Sequence, residues 1–283
     1  MSRQWQDLHS PDSRASLYLR AASKRKISGH ALPTGGLRSL IHVQPGNLEA
    51  YRRLCHFTDE GRLPATYPHV MAFTLQLQLL TSHDFPFPLL GLVHLHNRID
   101  VLRPLGGIDE LRFAVYADNL QAHAKGGTFD LVTEAEDGLG LLWRETSRML
   151  VRGLKLDGQA EDSQEHAPSA LPQMTRWYAD TDIGRRYAMV CGDYNPIHLS
   201  AISARLFGFP KAIAHGMWSS AMALAALRTH IPTSGYRFEV AFRKPVRLPS
   251  EVILSASEAG PAGELRLDGQ GGLLHMVGRW AVL

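Results

Sequence analysis

In the stretch Gly192-Asp193-Tyr194-Asn195-Pro196-Ile197-His198, a carboxylate and an imidazole stand five residues apart across a span of loop-forming residues. A turn of that kind brings Asp193 and His198 to the same side with a water between them. The pair can serve as a general acid/base couple, because a carboxylate orients an imidazole whose unperturbed pKa lies near neutral pH. Taken alone, the same spacing also fits a plain turn followed by a His that caps a helix, and both readings stay open at this level. Seventeen residues further on, His215-Gly216 opens an apolar run. The N–H groups of a helix's first turn have no internal partner and carry the positive end of the macrodipole. Glycine at that point lets a ligand carbonyl approach the main chain, so an oxyanion formed there would be stabilised. Close packing of the helix start is the structural reading of Gly216, and the two are compatible.

The elements that must position these residues occur twice. Tyr51-Arg-Arg-Leu-Cys55 answers Tyr187-Ala-Met-Val-Cys191 at an offset of 136 residues, and Arg103-Pro-Leu answers Lys244-Pro-Val at 141. Each copy carries one helix that is apolar nearly all round, over Pro68–Ser82 and Gly216–Leu227, the pattern of a helix enclosed by protein. Pro68 suits a first helical position, and Pro86 and Pro232 stop the runs. Strand alternation follows in each copy. Leu95, Asn97, Ile99 and Val101 share one face, as do Tyr236, Phe238, Val240 and Phe242. One helix wrapped by a curved antiparallel sheet, repeated twice, predicts an α+β double hot-dog fold with the two helices side by side and the strands of both copies in one continuous sheet. The predicted organisation is an N-terminal extension of unassigned role over 1–34, a degenerate hot-dog over 35–152, a linker over 153–172 and a second hot-dog over 173–283. The linker is most evident at Asp157–Ser169, which is polar and nearly devoid of apolar side chains.

Length and composition limit the alternatives. The 283 residues suit about two domains, and a 45% apolar share is ample for buried cores. Thirty basic against twenty-seven acidic residues, spread along the chain, give no bulk attraction to nucleic acid. No segment approaches a membrane span, and Met1–Lys26 lacks the apolar core of a secretory signal. The C-terminal Ala-Val-Leu is not a peroxisomal address. A cytoplasmic location follows as the expectation. Cys55 and Cys191, paired across the repeat, are expected to be small core residues. His94 and His96 share a strand face, but no carboxylate or Cys at ligand spacing accompanies them, so no metal site is expected. Gly260–Gly272 reads as a hairpin loop, and no Gly-x-Ser-x-Gly elbow occurs.

Between the two copies, about eleven residues are gained in the second, on or just after Gly192–His198, and Phe57 takes the place of Asp193 in the first. The duplication therefore predicts one active site per chain, with the first copy supplying apolar wall around Met71-Ala-Phe-Thr-Leu75.

Tyr187-Ala-Met-Val-Cys-Gly-Asp193-Tyr-Asn-Pro-Ile-His198, followed by Ala204, Gly208-Phe209 and Ile213-Ala-His-Gly-Met217, resembles the signature of MaoC-like (R)-specific enoyl-CoA hydratases, the hydratase-2 group. Phe242-Arg-Lys-Pro-Val-Arg-Leu-Pro249 is similar to the following strand of that family. Leu63-Pro-Ala-Thr-Tyr-Pro-His69 and Phe85-Pro-Phe-Pro-Leu-Leu-Gly-Leu-Val-His94 resemble the degenerate first half of its two-hot-dog members. The resemblance covers about residues 35 to 283. It implies that Asp193 and His198 are catalytic, that Gly216 donates its N–H to a thioester oxygen and that Asn195 shapes the loop. It further implies reversible addition of water to a trans-2-enoyl-CoA, giving the (R)-3-hydroxyacyl-CoA, in fatty acid metabolism. No cofactor is implied beyond the coenzyme A of the substrate, and a homodimer is expected. Arg243, Lys244 and Arg247 could meet the phosphates of coenzyme A or could be solvated strand-edge charges, and these two readings are evenly balanced. Leu224 stands where some relatives carry a small polar residue near the substrate. The rival activities are dehydration of (3R)-hydroxyacyl groups on acyl carrier protein and non-catalytic acyl-thioester binding. A hot-dog thioesterase fits less well, since it needs no such Asp and His loop.

Overall fold

Residues 3–158, 168 and 171–283 are described by the computed structural model. Most of the expected Asp157–Ser169 linker lies outside the described residues. The first part of the chain forms β1 (Gln4–Asp7), α1 (Arg14–Ser23), β2 (Gly35–His42), α2 (Pro45–Cys55), α3 (Tyr67–Leu80), β3 (Val93–Val101), β4 (Glu110–His123), β5 (Gly126–Asp137) and β6 (Gly140–Arg152). The second forms β7 (Gln173–Ala179), α4 (Ile183–Cys191), α5 (Pro196–Leu199), α6 (Ala201–Arg205), α7 (Gly216–Ala226), β8 (Tyr236–Phe242), β9 (Ser250–Ala256), β10 (Ala262–Gly269) and β11 (Leu274–Val282).

Among the described residues, eleven strands join one sheet in the order β1-β2-β4-β5-β6-β3-β8-β11-β10-β9-β7. Outward from the β3–β8 seam the two halves repeat the same order, so the molecule is a double hot-dog. At the seam, Asn97 faces Val240, Ile99 faces Phe238 and Val101 faces Tyr236 in antiparallel register. These six side chains are buried. Pairing the copies here covers two strand edges that each alone would expose. The extension also joins the sheet, because β1 pairs parallel with β2.

Helices α3 and α7 are buried on nearly every face, as their apolar composition requires. They do not form the principal contact between halves, however. The principal helix contact is α2 against α4, with weaker crosswise contacts of α2 against α7 and α3 against α4. Tyr51 of α2 and Tyr187 of α4 meet there, with ring centroids 6.3 Å apart, and Cys55 and Cys191 are buried free thiols.

Two local expectations are corrected. Leu95 forms a bulge between His94 and His96 in the pairing of β3 with β6. The extra residue breaks the two-residue period, so His94 and Leu95 border the central cavity and His96 does not. Gly260–Gly272 is also not a single loop, since β10 runs through it and only its ends turn. Glycine and charged residues there masked a strand whose buried Leu265 and Leu267 alternate normally. Among the described residues, no helix is long and apolar enough to cross a membrane.

Candidate active site

Helix α4 ends where Gly192 adopts left-handed backbone angles, φ 85°, and its N–H bonds Ala188 O at 2.8 Å. Glycine is the residue that takes this cap without strain. Helix α2 ends the same way at His56, φ 60°. The chain thus leaves both helices alike, and the next residue is Phe57 in one half and Asp193 in the other. Asp193 Oδ1 accepts from the N–H of Asn195 at 3.0 Å. Asn195 in turn caps α5 by accepting from Ile197 N–H at 3.4 Å, with Pro196 in the first turn. That short helix holds His198, whose Nδ1 lies 2.8 Å from Ile213 O. A carbonyl can only accept, so Nδ1 carries the proton and Nε2 is left with a free lone pair.

His215 immobilises this pair. Its ring stacks on His198 with centroids 3.6 Å apart and planes 23° apart, and its Nε2 donates to Asp193 O at 3.0 Å. Its Nδ1 is buried without a partner among the described residues. His215 therefore braces the loop through its main chain. The sequence motif contains it, but nothing in the spacing separates a brace from a helix cap.

Tyr18, on α1 of the extension, carries no signal in the sequence. Its hydroxyl accepts from Tyr194 N–H at 2.7 Å and lies 3.2 Å from both Asp193 Oδ1 and Gly192 O, toward which its single proton can be directed. The extension is held in turn by α3. Arg14 Nε donates to Thr74 Oγ1 at 3.1 Å, and Asp12 N–H donates to Gln78 Oε1 at 2.8 Å. These contacts span 60 to 176 residues, so no local pattern reports them.

Electrostatics sets the protonation states. Burial opposes ionisation of Asp193, but the neighbouring His215 and His198 imidazoles and the Asn195 and Tyr18 hydrogen bonds outweigh it, holding the carboxyl below its ordinary range. Burial lowers His198, against the pull of Asp193. Burial and the adjoining His198 push His215 down to about 3. At neutral pH the site therefore holds one carboxylate and two neutral imidazoles.

These groups open onto a cavity of about 390 Å³ lined by both halves, within the size range of small-ligand sites. Asp193, Asn195, His198, Gly216, Arg243 and Lys244 all line it. Gly216 starts α7, and a Cβ there would stand 2.9 Å from Phe242 Cε1, so the close approach of ring and helix end requires glycine. Arg243 and Lys244 are fixed through their main chain, Arg243 N–H donating to His275 O at 2.8 Å and Lys244 O accepting from His275 Nδ1 at 2.9 Å. Arg152 of the first half lines the same cavity, a cation the sequence reading missed. Leu224 does not reach it. That residue borders a separate small pocket with Phe57 and Tyr236, and Ser219 is the small polar α7 residue on the main cavity. The first half's wall is also not purely apolar, since His69, Gln76, His94 and Ser147 lie among Phe73, Leu77, Leu80 and Met149.

By distance alone, Asp193, His198 and His215 could each offer one atom to a metal ion, all within 4.8 Å. Two stacked, near-parallel imidazoles do not aim their lone pairs at one point, and His215 Nε2 is already a donor. The arrangement suits a hydrogen-bonded water better than an ion.

Comparison with known proteins agrees with the fold and the motif. Residues 164–267 match the family described as MaoC like domain. The 3-hydroxyacyl-thioester dehydratase X of Mycobacterium tuberculosis is 34% identical over 228 residues, 80% of this chain and 81% of that protein. The crystal structure of HtdX of Mycobacterium tuberculosis superposes with a TM-score of 0.77 at 31% identity, covering 88% of this chain and 100% of that chain. The 3-hydroxybutyryl-CoA dehydratase of Methylorubrum extorquens is 38% identical over 80 residues, 26% of this chain and 51% of that protein.

Proposed function

Because the chain belongs to the MaoC-like dehydratase family, we propose that Asp193 and His198 carry its hydro-lyase reaction on acyl thioesters in fatty acid metabolism. The observation that supports these roles is the pair of proton acceptors left open to the cavity. Asp193 Oδ2 and His198 Nε2 make no hydrogen bond among the described residues, whereas Oδ1 and Nδ1 are both engaged. A water donating one hydrogen to each turns an oxygen lone pair toward the β-carbon of a trans-2-enoyl thioester. As the C–O bond forms, one acceptor takes the water's proton and negative charge moves to the thioester oxygen. The N–H of Gly216, at the positive end of α7, meets that charge. The same proton is then delivered to the α-carbon, giving the (R)-3-hydroxyacyl thioester, and dehydration is the reverse. Atoms and charge balance without a metal or a redox cofactor.

Asn195 shapes the loop in this reading. Arg243 and Lys244, together with Arg152, suit the phosphates of coenzyme A at the cavity wall. An acyl carrier protein in place of coenzyme A is the alternative, because its phosphopantetheine presents the same thioester. A homodimer and a cytoplasmic location complete the reading and rest on the family resemblance and the composition. The test is loss of the conjugated-thioester absorbance with crotonyl-CoA and trans-2-octenoyl-CoA, followed by chiral analysis of the product. Turnover unchanged in Asp193→Asn, or an (S)-3-hydroxy product, would overturn it.

A further inference from the structure

The first half holds a buried ionic group that hydration does not use. Glu145 of β6 is fully buried. Its Oε2 accepts from His69 Nδ1 at 2.8 Å and from Gln76 Nε2 at 3.3 Å, and its Oε1 accepts from Asn97 Nδ2 at 2.7 Å. Gln76 also donates to Thr133 Oγ1 at 2.9 Å, and Asn97 to Ser147 Oγ at 3.1 Å. Burial alone would lower His69, but the facing Glu145 carboxylate, with Asp193 adding to it, leaves the imidazole above its ordinary pKa. Glu145 stays ionised against its burial because His69 and Asn97 hold its charge. With Nδ1 donating to Glu145, His69 turns Nε2, a donor when the ring is charged and an acceptor when it is neutral, to the wall of the cavity that contains Asp193 and His198, where it makes no hydrogen bond among the described residues.

A fastening between helix and sheet does not require this. Replacing a buried ion pair by well-packed apolar side chains is often neutral or stabilising. A plain alkyl chain lying in the cavity would also cover His69 Nε2 without satisfying it, and an unmet buried polar atom carries the full cost of its desolvation.

We propose that the His69–Glu145 pair is a binding subsite for a neutral oxygen on the acyl chain, a hydroxyl or keto group, so that the enzyme prefers oxygenated 2-enoyl thioesters to plain alkyl ones. The inference rests on the reading that the thioester's acyl chain occupies this cavity. Charge selects a neutral group, since a carboxylate on the chain would face both the Glu145 and Asp193 carboxylates. Ser147 and Gln76, on the same wall, can accept the proton of a substrate hydroxyl.

The test compares trans-2-octenoyl-CoA with the same thioester bearing one hydroxyl at C5, C6, C7 or C8. On the wild-type protein, one isomer is expected to exceed the plain chain in kcat/KM by about tenfold, the scale of one well-made hydrogen bond. Glu145→Gln removes the carboxylate that orients His69 and raises its pKa, and His69→Gln removes the imidazole itself. In both variants the ratio is expected to fall to near one. The ratio compares two substrates on one sample, so a misfolded fraction cancels. Equal or lower kcat/KM for every hydroxylated isomer on the wild type, or a ratio that survives in both variants, overturns the subsite. If octenoyl-CoA is hydrated and no hydroxyl helps, the subsite alone fails. If no thioester is turned over, the assignment of the cavity fails and the subsite with it.

Discussion

Gly184 is far from any reacting atom, yet its replacement by alanine is expected to disable the site. It is the second residue of α4, and a Cβ built on it would lie 2.1 Å from the carbonyl oxygen of His198 and 3.0 Å from its carbonyl carbon. Both atoms are main chain, so no rotamer change relieves the contact. Reaching even 3.0 Å requires at least about 0.9 Å of separation between α4 and α5. Helix α4 resists because Tyr187 is wedged against Tyr51 and His215. The movement therefore falls on α5, where it strains the His198–Ile213 hydrogen bond of 2.8 Å and the His198–His215 stack. A displacement of about 1 Å in a reacting group can cost ~10²-fold in rate, and overpacking of this kind costs about 1–3 kcal/mol of stability. Gly184→Ala should thus lower kcat for octenoyl-CoA by about a hundredfold while the purified protein keeps its circular dichroism spectrum. The control is Gly46→Ala in α2, where an added Cβ meets nothing within 4 Å and about 0.5–1 kcal/mol of stabilisation is expected. Activity of Gly184→Ala within twofold of wild type would refute the claim that α4 sets the position of His198.

Asp193→Asn and His198→Ala should each lower turnover by ~10²–10⁴, the worth of a general acid/base group, with little change in melting temperature; near-normal hydration in either variant contradicts its role. Tyr18→Phe removes the hydroxyl that supports Asp193, so the acid limb of the pH–rate profile should move to higher pH and kcat fall by up to about tenfold, given one hydrogen bond to a charged group; an unmoved profile would reduce Tyr18 to packing. Stability should fall on acidification from about pH 6.5, because His215 at about 3 and His94 at about 4 stay neutral in the folded protein while the unfolded chain binds protons near 6.5. His69 acts in the opposite sense, its raised pKa giving stability that is lost as pH rises through the folded value, so a melting temperature that does not drop between pH 7 and pH 5 would contradict the neutral burial of His94 and His215. Across four-, eight- and twelve-carbon enoyl-CoAs, kcat/KM should rise beyond four carbons, with up to ~0.8 kcal/mol for each buried CH₂; a steady fall would mean that the first half closes the cavity.

The duplication, the two enclosed helices and the loop from Gly192 to His198 were all legible in the sequence, because each rests on local periodicity or turn chemistry. A buried helix needs apolar residues all round, a left-handed cap favours glycine, and a strand with one buried face alternates. Turn chemistry placed Asp193 beside His198, and the family resemblance added Asn195 and Gly216, the first and last of the four lying 23 positions apart with two short helices between them. Tertiary structure decided what periodicity cannot encode. A single bulged residue at Leu95 turned His94 to the cavity, against the alternation. The extension folded back so that Tyr18 supports a carboxylate 175 residues away. The first half, apolar by its Phe57 and its missing loop, carries a buried His69–Glu145 pair whose partners lie 76 residues apart. Contacts of that range depend on which faces the sheet and helices present to one another once packed, and side-chain spacing along the chain contains no record of that choice.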